Sequence, residues 1–82
     1  MNTNTKTAVV WGQTTCSACK TAKKLLEENN YTVDYREIDN GPWTKKDLFD
    51  ILPDVRSVPQ IFVNEQHVGG LGGLELYLMQ RR

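Results

Sequence analysis

Two cysteines stand three residues apart in Thr14-Thr15-Cys16-Ser17-Ala18-Cys19-Lys20, and the chain contains no others. The chemistry such a pair offers is reversible thiol–disulfide exchange. Ahead of it, Thr7-Ala8-Val9-Val10-Trp11-Gly12 is a short apolar run closed by glycine, as in a buried strand. Behind it, Ala18, Ala22, Leu25 and Leu26 recur at helical spacing, with Cys19 beside the stripe. Cys16 therefore sits where a loop enters the first turn of a helix. Free N–H groups and the positive end of the helix dipole favour a thiolate there over a thiol. Cys19 lies on the same helical face, within disulfide reach. Cys16 is read as the exposed nucleophile, its pKa expected to fall from about 8.5 into the range of roughly 3.5–7.5. Cys19, one turn deeper, is read as the shielded thiol that resolves a mixed disulfide on Cys16. Lys20 and Lys23 add positive charge nearby.

Composition narrows the setting. The 82 residues fit one small domain. Ten basic side chains balance ten acidic ones. No basic block exceeds a pair, Lys45-Lys46 and Arg81-Arg82 reading as solvated faces and tails, so neither nucleic acid nor a membrane surface is expected as a partner. The polar start lacks the apolar stretch of a secretory signal. No apolar run approaches the roughly 20 residues of a membrane span. A soluble cytoplasmic protein is expected. In a reducing compartment a cysteine pair is catalytic or metal-binding rather than a structural staple. A closed zinc site needs four ligands. The chain offers Cys16, Cys19 and the lone His67 about fifty residues on, so the redox reading is preferred, no metal is expected and His67 receives no role.

The elements that must hold the pair follow in order. Residues 1–6 read as a flexible arm and 7–82 as one domain. After the first strand, Gln13-Thr14-Thr15 forms a loop in which either threonine can cap the helix. That helix covers about residues 17–29 and ends at Asn29-Asn30, since Asn tolerates the left-handed conformation. Tyr31 to Asp39 holds a second strand, and Asn40-Gly41-Pro42 a turn. Trp43 or Thr44 opens a second helix, from Lys45 to about Leu52, apolar at Leu48, Phe49, Ile51 and Leu52 and stopped by Pro53. Gln60 to Val63 and Gln66 to Val68 read as a hairpin around Asn64-Glu65. Gly69 to Gly73 reads as a flexible turn, and about Gly73 to Gln80 as a last helix burying Leu74 and Leu78. Trp11, Trp43 and Phe49 are expected in the core. The order β-α-β-α-β-β-α implies an α/β fold: a four-stranded mixed sheet with helices on both faces, its first two strands parallel.

A Cys-x-x-Cys beside a βαβ pattern is a thioredoxin-like redox signature. Three stretches together resemble the glutaredoxin family: Trp11-Gly12-Gln13-Thr14-Thr15-Cys16-Ser17-Ala18-Cys19, Ser57-Val58-Pro59-Gln60-Ile61-Phe62-Val63, and His67-Val68-Gly69-Gly70 with Leu74. The resemblance implies a thioredoxin fold, a cis bond before Pro59, and glutathione-linked disulfide reduction by a monomer. It implies a glutathione or peptide groove formed by Gln13, Ala18, Ser57, Val58, Pro59, Gly70, Gly72 and Gly73. Disulfide-bearing proteins, ribonucleotide reductase among them, are the implied recipients. Glutathione or a thioredoxin reductase is the implied electron donor.

Departures from the family pattern are concentrated at the groove. Ser17-Ala18 replaces the usual Pro-Tyr, removing one wall. Gln13 stands where a lysine is common, and cannot pair with the charge of the glycyl carboxylate. Gly72-Gly73 replaces a Thr, Ser or Asp followed by Asp, leaving backbone N–H groups to hold the γ-glutamyl carboxylate. In some glutaredoxins a serine at the Ser17 position goes with a [2Fe–2S] cluster bridging two subunits, completed by glutathione. A cluster or metal carrier without turnover is therefore the alternative reading, with thiolate ligation by Cys16.

Overall fold

The computed structural model describes residues 6–55 and 57–80. Its elements are β1 (Thr7–Gly12), α1 (Ser17–Glu28), β2 (Thr32–Glu37), α2 (Lys45–Ile51), β3 (Gln60–Val63), β4 (Gln66–Gly69) and α3 (Leu71–Gln80). The four strands form one sheet in the order β2-β1-β3-β4. β1 pairs parallel with β2 and antiparallel with β3, and β3 pairs antiparallel with β4. This is the α/β architecture and element order that the sequence implies.

The alternation of β1 divides the core in two, because successive strand side chains point to opposite faces. Ala8 and Val10 join Ala22, Leu26, Ile61, Val63 and Leu74 under α1 and α3. Trp11 turns the other way and packs with Ile38 and with Leu48 of α2. Leu26 is fully buried, worth about 1.5–3 kcal/mol by transfer. On the α2 side the Arg36 guanidinium lies 4.2 Å from the Trp43 ring and 5.1 Å from the Trp11 ring, and pairs with Asp34 at 2.8 Å. The two tryptophans meet edge to face at 5.4 Å.

Local chemistry sets the element ends. Asn30 closes α1 with φ of 71°, the left-handed conformation anticipated for it. Thr44 and Asp47 form a capping box at α2: the Thr44 hydroxyl accepts from Asp47 N–H at 3.3 Å, and the Asp47 carboxylate accepts from Thr44 N–H at 2.9 Å. Asn64 and Glu65, both at positive φ, make the hairpin turn.

Two expectations are corrected. The glycine run is not a flexible turn as far as Gly73. Gly69 alone takes the positive φ, at 103°, and α3 begins at Leu71, with Leu74 N–H bonded to Gly70 O at 2.9 Å. Packing overrides the poor helix propensity of glycine: Leu74 is fully buried, and a Cβ at Gly73 would run into the Val68 carbonyl, so the first turn of α3 sits directly on β4. In α2 only Leu48 is buried, while Phe49 and Ile51 are exposed by 42% and 50%. Phe49 is therefore not a core residue. The arm expected over residues 1–6 lies, apart from Lys6, outside the described residues, as does the tail expected at Arg81-Arg82. Lys6 O accepts from Thr32 N–H at 2.8 Å, and its ammonium lies 5.4 Å over the Tyr31 ring.

Candidate functional site

Cys16 and Cys19 form a disulfide across the first turn of α1, their Cα atoms 5.3 Å apart. Cys16 is partly exposed; Cys19 is fully buried. Neither threonine caps the helix. Cys16 does so itself, its Sγ accepting from Cys19 N–H at 3.0 Å. Thr14 is engaged elsewhere. It donates to Asp39 twice, from its N–H at 3.0 Å and its hydroxyl at 2.7 Å. These bonds tie the loop before Cys16 to the turn that follows β2. The hydroxyl bond first, and the backbone bond after it, hold the Asp39 carboxyl below its ordinary value, because both favour the charged form.

Gly12 is a spatial requirement. A Cβ there would stand 2.8 Å from Cys19 Cβ, 3.0 Å from Cys19 Sγ and 2.9 Å from the Tyr35 hydroxyl. Only a glycine lets α1 bring Cys19 this close to β1. The Tyr35 hydroxyl donates to Gln13 O at 3.4 Å. Burial first, then the charges of Glu37 and Asp39, push its pKa up.

The Val58–Pro59 peptide is cis, as the resemblance implies. The loop carrying it is braced from behind by Gln60, a buried polar residue. Gln60 donates to Ser57 O at 2.9 Å, and its side-chain oxygen meets His67 Nε2 at 2.8 Å. His67 also stacks on Phe62 at 5.1 Å. His67 thus has a structural task that a lone histidine in a hairpin does not advertise.

Of the anticipated groove residues, Gln13, Ser57 and Val58 line one small cavity of about 150 Å³, with Ile38, Lys45, Leu48 and Phe49. Gly70 does not line it; a Cβ added there would stand 3.5 Å from Pro59 O. Pro59 is buried and Ala18 half-buried. Gly72 is exposed and Gly73 is seated on β4, both in the first turn of α3, away from the cavity lining. Lys45 and Phe49 are the lining residues that sequence reasoning missed. The available signal was the position of Lys45, first in a helix capped by Thr44. Among the described residues no group of three or more His, Cys, Asp or Glu is placed to hold a metal ion.

The arrangement can do dithiol chemistry: a reachable sulfur at a helix N-terminus, a second sulfur beneath it, and an apolar-walled groove carrying one lysine. Comparison with known proteins points the same way. The glutaredoxin family profile matches residues 6–68. The chain is 37% identical over 68 residues to glutaredoxin 1 of Escherichia coli K12, covering 76% of this chain and 80% of that one. It is 35% identical over 75 residues to the glutaredoxin of Vibrio cholerae, covering 84% and 86%. The solved structure of reduced Escherichia coli glutaredoxin superposes with a TM-score of 0.76 at 31% identity, over 90% of this chain and 94% of that one.

Proposed function

This chain belongs to the glutaredoxin family, and from that premise we propose that it carries electrons from glutathione to disulfide-bonded proteins in the cytoplasm. The observation that carries this reading is the unequal pair on α1, Cys16 partly exposed at the cap and Cys19 buried below it.

The Cys16 thiolate, favoured by the free N–H groups at the start of α1, attacks one sulfur of a substrate disulfide. The Cys16–substrate bond forms, the substrate disulfide breaks, and a substrate thiolate leaves with the electron pair. The Cys19 thiolate then attacks Cys16 Sγ and expels the second substrate thiolate, leaving the Cys16–Cys19 disulfide that the structure contains. Two glutathione molecules return the pair to dithiol and leave as glutathione disulfide. The leaving thiolates take protons from solvent.

In the groove, Lys45 supplies the positive charge that Gln13 lacks, and meets the glycyl carboxylate of glutathione beside Ser57 and Val58. The backbone of Val58 pairs with the tripeptide or with an extended substrate as a short added strand. The first N–H groups of α3, at Leu71, Gly72 and Gly73, have no partner within the helix and receive the γ-glutamyl carboxylate. Ribonucleotide reductase is the recipient that the family resemblance suggests.

The test couples disulfide reduction to glutathione with glutathione reductase, and separately to thioredoxin reductase, following NADPH consumption. Wild type is expected to turn over with glutathione. Cys16→Ser is expected to be inactive, and Cys19→Ser to retain activity on glutathione mixed disulfides while losing dithiol reduction. Absence of turnover in both systems would refute the carrier. Turnover with thioredoxin reductase alone would remove glutathione from the groove.

A further inference from the structure

Cys19 is fully buried, so the thiolate it must form to resolve a mixed disulfide is cut off from water. Something inside the protein has to meet that charge. One hydroxyl is in position. The Tyr35 oxygen and Cys19 Sγ border the same gap above Gly12, 2.9 Å and 3.0 Å from the point where a Cβ would stand. Tyr35 reaches it because β2 runs parallel beside β1, with Tyr35 opposite Val10, and because residue 12 has no side chain. In the oxidised pair the hydroxyl spends its proton on Gln13 O over 3.4 Å, a long bond that is easily exchanged.

We propose that Tyr35 is a second participant in the resolving half-reaction: when the disulfide opens, its hydroxyl turns from Gln13 O to Cys19 Sγ and donates to the thiolate. This rests on, and deepens, the dithiol reading above. The phenol keeps its proton throughout. In the resolving step the Cys19 electron pair forms the Cys19–Cys16 bond. The bond from Cys16 to the substrate sulfur breaks, and the substrate thiolate takes that pair and a solvent proton. As the charge on Cys19 disappears, the hydroxyl returns to Gln13 O. Burial and the neighbouring charges raise the phenol pKa, so the group stays a donor across the working range. The ionisable surroundings are Glu37 and Asp39 at the end of β2, exposed Lys20 beside Cys19 on α1, and Lys45 at the start of α2, whose charge acts on Asp39.

Stopped-flow reaction of the reduced protein with dithiobis(nitrobenzoate) separates the two sulfurs. Release of the first thionitrobenzoate reports attack by Cys16. Release of the second reports attack by Cys19 on the Cys16 mixed disulfide. In Tyr35→Phe, loss of one hydrogen bond to a charged sulfur raises the midpoint of the second phase by about one pH unit. The thiolate fraction below that midpoint falls about tenfold, while the more basic thiolate is about threefold more nucleophilic. The second phase is therefore expected to be about threefold slower at low pH and about threefold faster on the alkaline plateau, so the two profiles cross. The first phase is expected to be unchanged, which also attests the fold of the variant. A second phase that superimposes on wild type, or is slowed by one factor at every pH, overturns the role of Tyr35. A wild type that releases no second thionitrobenzoate overturns the dithiol reading itself.

Discussion

Two adjacent glycines in the first turn of α3 should respond to the same substitution with opposite signs. At Gly72 a Cβ meets nothing within 4 Å. Gly72→Ala therefore gains only the helix preference of alanine, about 0.5–1 kcal/mol. At Gly73 the added methyl would occupy the space of the Val68 carbonyl oxygen, a backbone atom with no rotamer to change. The helix must lift from β4 or the strand must bend. Overpacking of this kind costs about 1–3 kcal/mol, against the same small propensity gain. Lifting α3 also loosens Leu74, which is fully buried beneath it. A net loss of about 1–2 kcal/mol corresponds to a fall in Tm of roughly 4–16 °C for a domain this size, whereas Gly72→Ala should rise by a few degrees. Urea titration and thermal unfolding of the oxidised proteins, followed by far-UV dichroism, measure both. A Gly73→Ala protein as stable as Gly72→Ala would show that α3 does not rest on β4 as described.

Other perturbations test other parts. Asp39 has a depressed carboxyl pKa in the folded state, so its contribution is present above the unfolded value, about 4, and is lost as pH falls through the lower folded value. Urea midpoints of wild type should therefore drop more steeply with acidification below about pH 4 than those of Asp39→Asn; parallel curves would rule out the Thr14–Asp39 tie as a pH-dependent contact. Lys45→Glu should raise the KM for glutathione several-fold, most strongly at low ionic strength, while leaving the Cys16 alkylation rate near wild type; an unchanged KM would remove Lys45 from the groove. Leu26→Ala should cost about 2–5 kcal/mol by urea unfolding, and a smaller loss would mean that the core beneath α1 collapses around the gap.

What could be read from the sequence, and what could not, divides along the range of the interactions. The cysteine pair and the order of the elements rest on patterns a few residues long, and the cis bond at Pro59 on the family resemblance. The left-handed Asn30 is equally local. The misses depend on partners distant in sequence. Thr14 looked like a helix cap because nothing nearby competes for its hydroxyl; Asp39, 25 residues on, does. Gly12 looked like a strand terminator, and its purpose appears only when α1 folds back to set Cys19 against it. The run Gly69 to Gly73 reads as a turn by propensity, yet it is split between one positive-φ residue and the seated start of a helix. Lys45 reads as a surface charge and is exposed, but its place beside Gln13, Ser57 and Val58 on one cavity depends on residues far apart in sequence. His67 has no local signal, because its partner Gln60 lies across the hairpin.

The outer strands of the sheet have a consequence for life at high concentration. An open border of peptide groups invites a neighbouring molecule to extend the ladder. Here one border, β4, is four residues long and adjoins an irregularity in its register with β3 near Ile61 and Phe62. The other, β2, carries the charged Asp34 and Arg36. Neither rim offers a long, flat, uncharged template. The molecule is thereby protected from fibrous self-stacking while its groove stays open to strangers.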